Sequence, residues 1–169
     1  MKFPKVVATK PPQPLSKNAA LLGKVAAGIV ALFTVVQLIG IDKMIDGLNQ
    51  QLPDGGGLVT TVAVVVLLSG IMSLPFLLRY KISELARFMS GILAVLVPWV
   101  WLLIAIWSVG TGAAAAQFGV ITGINVEWWV VAFNAAWLIL NFYTVRQLGL
   151  EKTWRTLRGS ARQLKKTAK

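Results

Sequence analysis

Over the fifty-nine residues from Phe88 to Arg146, the only charged interior member is Glu127, and six of the seven tryptophans fall there. A water-soluble fold cannot solvate such a stretch, whereas a bilayer demands it, and its length allows two crossings at about 20 residues each. It reads as a membrane hairpin. Two further apolar runs precede it, Ala19 to Ile41 and Leu58 to Leu78, and each is long enough to span. A hydrophobic fraction of 56% and a mean hydropathy of +0.70 agree with that reading. The expected fold class is an all-α integral membrane protein with four transmembrane helices, about 19–41, 58–78, 88–109 and 128–145, arranged as two hairpins.

The flanking segments have a different chemistry. Pro4, Pro11, Pro12 and Pro14 stand among Lys2, Lys5, Lys10 and Lys17, so residues 1–18 are expected to be an extended basic tail, each proline lacking a donor and holding its predecessor extended. Ser16 or Asn18 caps the first span, and Lys24 snorkels to the headgroups. The first run is too long for a signal peptide, and no small-x-small cleavage site precedes Asp42. Asp42, Lys43 and Asp46 begin a short helical extension that ends in the turn from Pro53 to Gly57. At the next turn Ser83 and Glu84 have the chemistry of a helix start.

From residue 147 to 169 a basic amphipathic helix is expected. Leu150, Trp154, Leu157, Ala161 and Leu164 share one face, while Lys152, Arg155, Arg158, Arg162 and Lys165 occupy the others. With Trp154 at headgroup level, Lys152, Trp154, Arg155, Arg158, Arg162 and Lys165 are the expected contacts to the inner leaflet. The same charges also serve as a plain topology anchor. Nucleic acid is a weak partner for this tail, which has no second aromatic to form a stacking platform.

Charge sets the topology. Five Lys or Arg lie up to Lys24, one in 42–57, three in 79–87, none in 110–127 and eight from Arg146 onward. By the positive-inside rule both termini and the second loop are cytoplasmic, in the plasma (inner) membrane of a bacterium. The 19–146 unit is then a four-helix domain. Its outer loop 110–127 is interfacial or re-entrant, because a fifth crossing would strand the basic tail outside. Trp107, Trp128 and Trp129 form an outer aromatic belt.

Catalytic chemistry has little to work with. No Cys and no His are present, which removes thiolates, the commonest general base and the usual zinc and haem ligands. All six carboxylates lie at span ends or outside them, so no intramembrane acid offers a proton relay, and no serine has a base within a span. No catalytic residue, metal site or cofactor is expected.

Two internal patterns remain. Ala19, Gly23, Ala27 and Ala31 recur every fourth residue, a small-residue stripe that lets another helix approach closely and is expected to face the bundle. Pro98 frees the carbonyl of Ala94, which lies about 9 Å into its span, at the depth of Asn141 in the descending fourth helix. A polar seam of Pro98, Trp99, Trp101, Asn134, Trp137 and Asn141 is therefore expected, with Asn141 donating to that carbonyl, so that losing the Asn141 amide costs stability. The seam serves as interhelical glue or as a pocket for a lipid, quinone or aromatic ligand. Gln37, near Thr34, is expected to bond between helices.

The functional expectation is a non-enzymatic accessory or assembly subunit that packs on a membrane-protein partner through the stripe and docks its tail on anionic lipids. The alternatives are an oligomeric pore, carrier or holin-like protein for an uncharged solute, and an immunity-type membrane protein. A four-span shape does not by itself choose among them.

Overall fold

The structure is a computed structural model in which residues 8–51, 56–111 and 128–167 are described. Six helices follow one another: α1 (Ala19–Ile39), α2 (Ile41–Gln51), α3 (Gly57–Leu77), α4 (Glu84–Thr111), α5 (Trp128–Gln147) and α6 (Leu150–Thr167). Among the described residues α1, α3, α4 and α5 are long and apolar enough to cross a membrane, so this is an all-α four-span membrane protein. The spans form a closed ring, α1 beside α3, α3 beside α4, α4 beside α5 and α5 back against α1. About a third of each is buried inside the bundle, and the remainder is an apolar coat of Leu, Ile and Val.

Several boundaries differ from expectation. The first span ends at Ile39 because Gly40 breaks it, and α2 starts immediately after. Ile41, Met44, Ile45 and Leu48 then lie on one helical face; Met44 and Leu48 are buried, and α2 packs on α3, while Asp42, Lys43 and Asp46 stay exposed. Helix α4 starts four residues early, at Glu84, because the Ser83 hydroxyl accepts the Ala86 N–H at 3.2 Å and caps it. Helix α5 continues to Gln147. Gly110 and Thr111 finish α4, and the rest of the loop expected to be interfacial or re-entrant lies outside the described residues, as do residues 1–7.

The α3–α4 turn is built on an unusual residue. Arg79 has φ 60°, the one positive φ at a non-glycine position among the described residues. Its N–H donates to the Phe76 carbonyl at 3.0 Å and the Tyr80 N–H donates to Pro75 at 2.9 Å, the paired bonds of a Schellman cap, a place glycine usually holds. The left-handed conformation costs an arginine about 1 to 2 kcal/mol. In return the guanidinium reaches the Pro12 carbonyl at 3.2 Å and ties down the N-terminal segment.

The small-residue stripe is used within the chain itself. Ala19, Gly23 and Ala27 are buried and Ala31 is half-buried, facing α3 and the α5–α6 corner. A Cβ on Gly23 would stand 2.6 Å from the Leu77 carbonyl oxygen and 3.3 Å from the Leu148 side chain. Gly70 of α3 makes the reciprocal approach, where a Cβ would meet the Thr34 hydroxyl at 2.7 Å. The expected contact of this stripe with a partner protein is therefore corrected: its surface is already covered. Gly23→Ala is expected to lower the thermal midpoint in detergent, since backbone cannot yield and overpacking costs about 1 to 3 kcal/mol. Gly28→Ala, whose Cβ meets nothing within 4 Å, is expected to leave it unchanged or raise it.

Candidate functional site

On α5, Asn134, Trp137, Asn141 and Thr144 follow one another at steps of three, four and three, which places them on one face. That face looks into the ring: Asn134, Asn141 and Thr144 are 0% exposed and Trp137 is 3% exposed. Opposite them α4 buries Ala94, Pro98 and Trp101. Trp137 also stacks on Phe33 of α1, with ring centroids 5.0 Å apart and planes at 24°, and so ties α5 to α1. Five of the six expected seam residues thus come together in the core. Trp99 does not; it is 46% exposed on the outer surface. The reason is helical phase, since two residues turn the helix by about 200°, so Trp99 and Trp101 cannot face the same neighbour.

The expected hydrogen bonds differ as well. Neither amide atom of Asn141 has a partner among the described residues, so its predicted bond to the Ala94 carbonyl is not made. Asn134 instead turns its amide onto its own helix, donating to the Val130 carbonyl at 2.9 Å. The Trp101 and Trp137 indole nitrogens and the Thr144 hydroxyl are likewise buried without hydrogen bonds. Thr144, missed in the sequence, was marked by the same three-four step as the asparagines. The row is polar and neutral, with no group that titrates near neutrality, so it can orient a dipole but cannot transfer a proton. Gln37 is buried on α1, beside the buried Thr34, whose hydroxyl donates to Val30 at 2.8 Å.

A second constellation sits where the two termini meet the bundle. The N-terminal segment crosses the ends of the helices as a strap: Thr9 forms an isolated antiparallel bridge with Ile82, and the Leu15 N–H donates to the Gln147 carbonyl at 2.8 Å. Arg87, 3% exposed in the first turns of α4, holds it. Its guanidinium donates to the Thr9 hydroxyl at 3.1 Å, to the Ile82 carbonyl at 3.1 Å and to the Thr9 carbonyl. The sequence presented Arg87 as one more loop cation, whereas here its planar fork collects three acceptors.

Helix α6 arrives at the same end. Gly149, with φ 85°, turns the chain out of α5, Leu150 packs into the space left by Gly91, and Trp154 stacks on Phe88 at 5.1 Å. The apolar face expected to lie on the membrane is therefore used first against α4, though Trp154 keeps 48% of its surface exposed. Lys152, Arg155 and Arg158 are exposed, and Arg155 pairs with Glu151 at 2.5 Å. The side chains of Arg162 and Lys165 lie outside the described residues. Lys10, Glu84, Arg87 and Lys152 meet around a cleft of about 190 Å³. At the opposite end Trp107, Trp128 and Trp129 are exposed, 58, 70 and 46%.

A third feature is a groove of about 640 Å³ on the outer surface between α4, α5 and the start of α6, walled by Leu96, Trp99 and Phe142 and reaching Arg146. Among the described residues no group of His, Cys, Asp or Glu could hold a metal ion. Compared with known families, curated proteins and solved structures, the chain matches none.

The unpaired Asn141 reverses the expectation drawn from sequence. Asn141→Val, similar in size, is expected to raise the thermal midpoint in detergent, because removing an unpaired buried amide relieves about 1 to 3 kcal/mol of desolvation. A lowered midpoint would show that the amide has a partner in the membrane.

Proposed function

We propose that the protein is a non-enzymatic integral membrane accessory or assembly subunit whose basic end docks on an anionic leaflet, the cytoplasmic face of a bacterial inner membrane. One observation carries this reading. Three segments far apart in sequence form one surface: backbone and guanidinium hydrogen bonds tie the strap with Lys10 and Lys17 to the α3–α4 turn with Arg79 and Lys81, and packing of Leu150 on Gly91 and of Trp154 on Phe88 brings in the start of α6 with Lys152, Arg155 and Arg158. Cations so placed near an anionic surface each contribute about 1 kcal/mol. The positive-inside rule orients the same end toward the cytoplasm.

The absence of His and Cys from the sequence, and of carboxylates from the span interiors, supports a non-enzymatic role. A pore through one copy is disfavoured by a core filled with Trp101, Trp137, Phe76 and Leu77, so a holin-like lesion would need several copies. With the stripe of α1 occupied, contact with a partner falls to the lipid-exposed faces of the spans, and an immunity-type role would use those same faces.

Trypsin digestion of the full chain in vesicles tests the docking. Phosphatidylglycerol vesicles are expected to protect Arg155 and Arg158 at low salt and to lose that protection at high salt, whereas phosphatidylcholine gives none. Equal cleavage in both lipids contradicts docking. For the subunit role, purification in mild detergent is expected to bring down a larger membrane partner; a clean homo-oligomer that leaks dye from liposomes contradicts it.

A further inference from the structure

The outer groove lies on the apolar surface between two spans and opens beside a cation. On α4, Ile92, Leu96 and Trp99 follow at i, i+4 and i+7, an apolar wall about 10 Å long on the face turned away from the core. Phe142 of α5, 60% exposed, forms the facing wall. Neither wall needs a special lipid, because acyl chains are as apolar as the side chains they touch, so any preference must come from the mouth.

The mouth is at the basic end and holds Arg146, the last charged residue of α5, exposed and without an ion-pair partner among the described residues. One acid, Glu151, also lines the groove, but Glu151 is engaged by Arg155 at 2.5 Å. That pair leaves the Arg146 guanidinium available and softens the repulsion an anion would meet from the carboxylate. A guanidinium presents paired donors that match two phosphate oxygens, and Arg146 stands in the last turn of its span.

We propose that the α4–α5–α6 groove is a binding site for one anionic phospholipid, its acyl chain lying against Leu96 and Trp99 and its phosphate held by Arg146. The site differs from the docking surface of α6: it faces sideways into the bilayer, and it orders a single lipid.

The test uses the full chain in nanodiscs of phosphatidylcholine doped with a small share of lipid brominated on its acyl chains, either phosphatidylglycerol or phosphatidylcholine. The emission belonging to Trp99, obtained by difference from Trp99→Phe, is expected to be quenched several-fold more by brominated phosphatidylglycerol. Arg146→Gln is expected to bring the two lipids to parity, with an unchanged thermal midpoint showing that the bundle is intact, and Arg146→Lys is expected to retain part of the preference. Equal quenching of the parent chain by both lipids, or a preference that survives Arg146→Gln, overturns the site. Because the chain has no cysteine, Leu96→Cys checks a rival occupant cleanly. The proposal expects no disulfide between copies in membranes, and an efficient crosslink would assign the groove to a second copy.

Discussion

Close approach of the helices at glycine is what the bundle depends on. Lipid tails are as apolar as leucine, so helices in a bilayer gain little by hiding their side chains from it, and they associate where small residues let atoms touch. Gly23 lies against the Leu77 carbonyl, Gly70 against the Thr34 hydroxyl, and Gly91 against Phe76 and Leu150. These contacts fix which helices are neighbours, and the Phe33–Trp137 stack closes the ring between α1 and α5. The polar row on α5 is a consequence of that closure, buried because the ring closes over it.

At the basic end the constraint changes from packing to hydrogen bonding. Backbone groups that leave a helix near the membrane must find partners, and here side chains supply them: the Ser90 hydroxyl accepts the Phe76 N–H beside Pro75, Arg87 donates to Thr9 and Ile82, and Arg79 donates to the Pro12 carbonyl. An arginine held in a left-handed turn and another buried in a helix start are both unfavourable locally. Together they turn a proline-rich tail into a strap, so that residues separated by most of the chain present their charge on one surface.

Much of this was legible in the sequence because hydrophobic length and charge placement are strong signals. Four spans, the cap at Ser83 and the turn after α3 follow from run length, hydroxyl position and the clustered cations. The seam was legible in part: the three-four step of Asn134, Trp137 and Asn141 gives a face, but assigning Trp99 to the same face as Trp101 ignored the phase of a helix. The stripe on α1 was visible, though nothing in its spacing tells whether the approaching helix belongs to the same chain. Arg87 was not legible at all, because its role depends on Thr9, seventy-eight residues away, and no local pattern records that contact.

The proposed docking requires the strap, the α3–α4 turn and α6 to share one side of the membrane, and that side to be the cytoplasm. A chain without native cysteine lets this be measured directly with single cysteines and a membrane-impermeant maleimide in intact and permeabilised bacterial cells. Asp46→Cys, at the opposite end, is predicted to label in intact cells, and Lys17→Cys, Lys81→Cys and Lys152→Cys only after permeabilisation. Labelling of all three from outside would contradict the inward-facing basic surface, and a split among them would contradict the four-span arrangement.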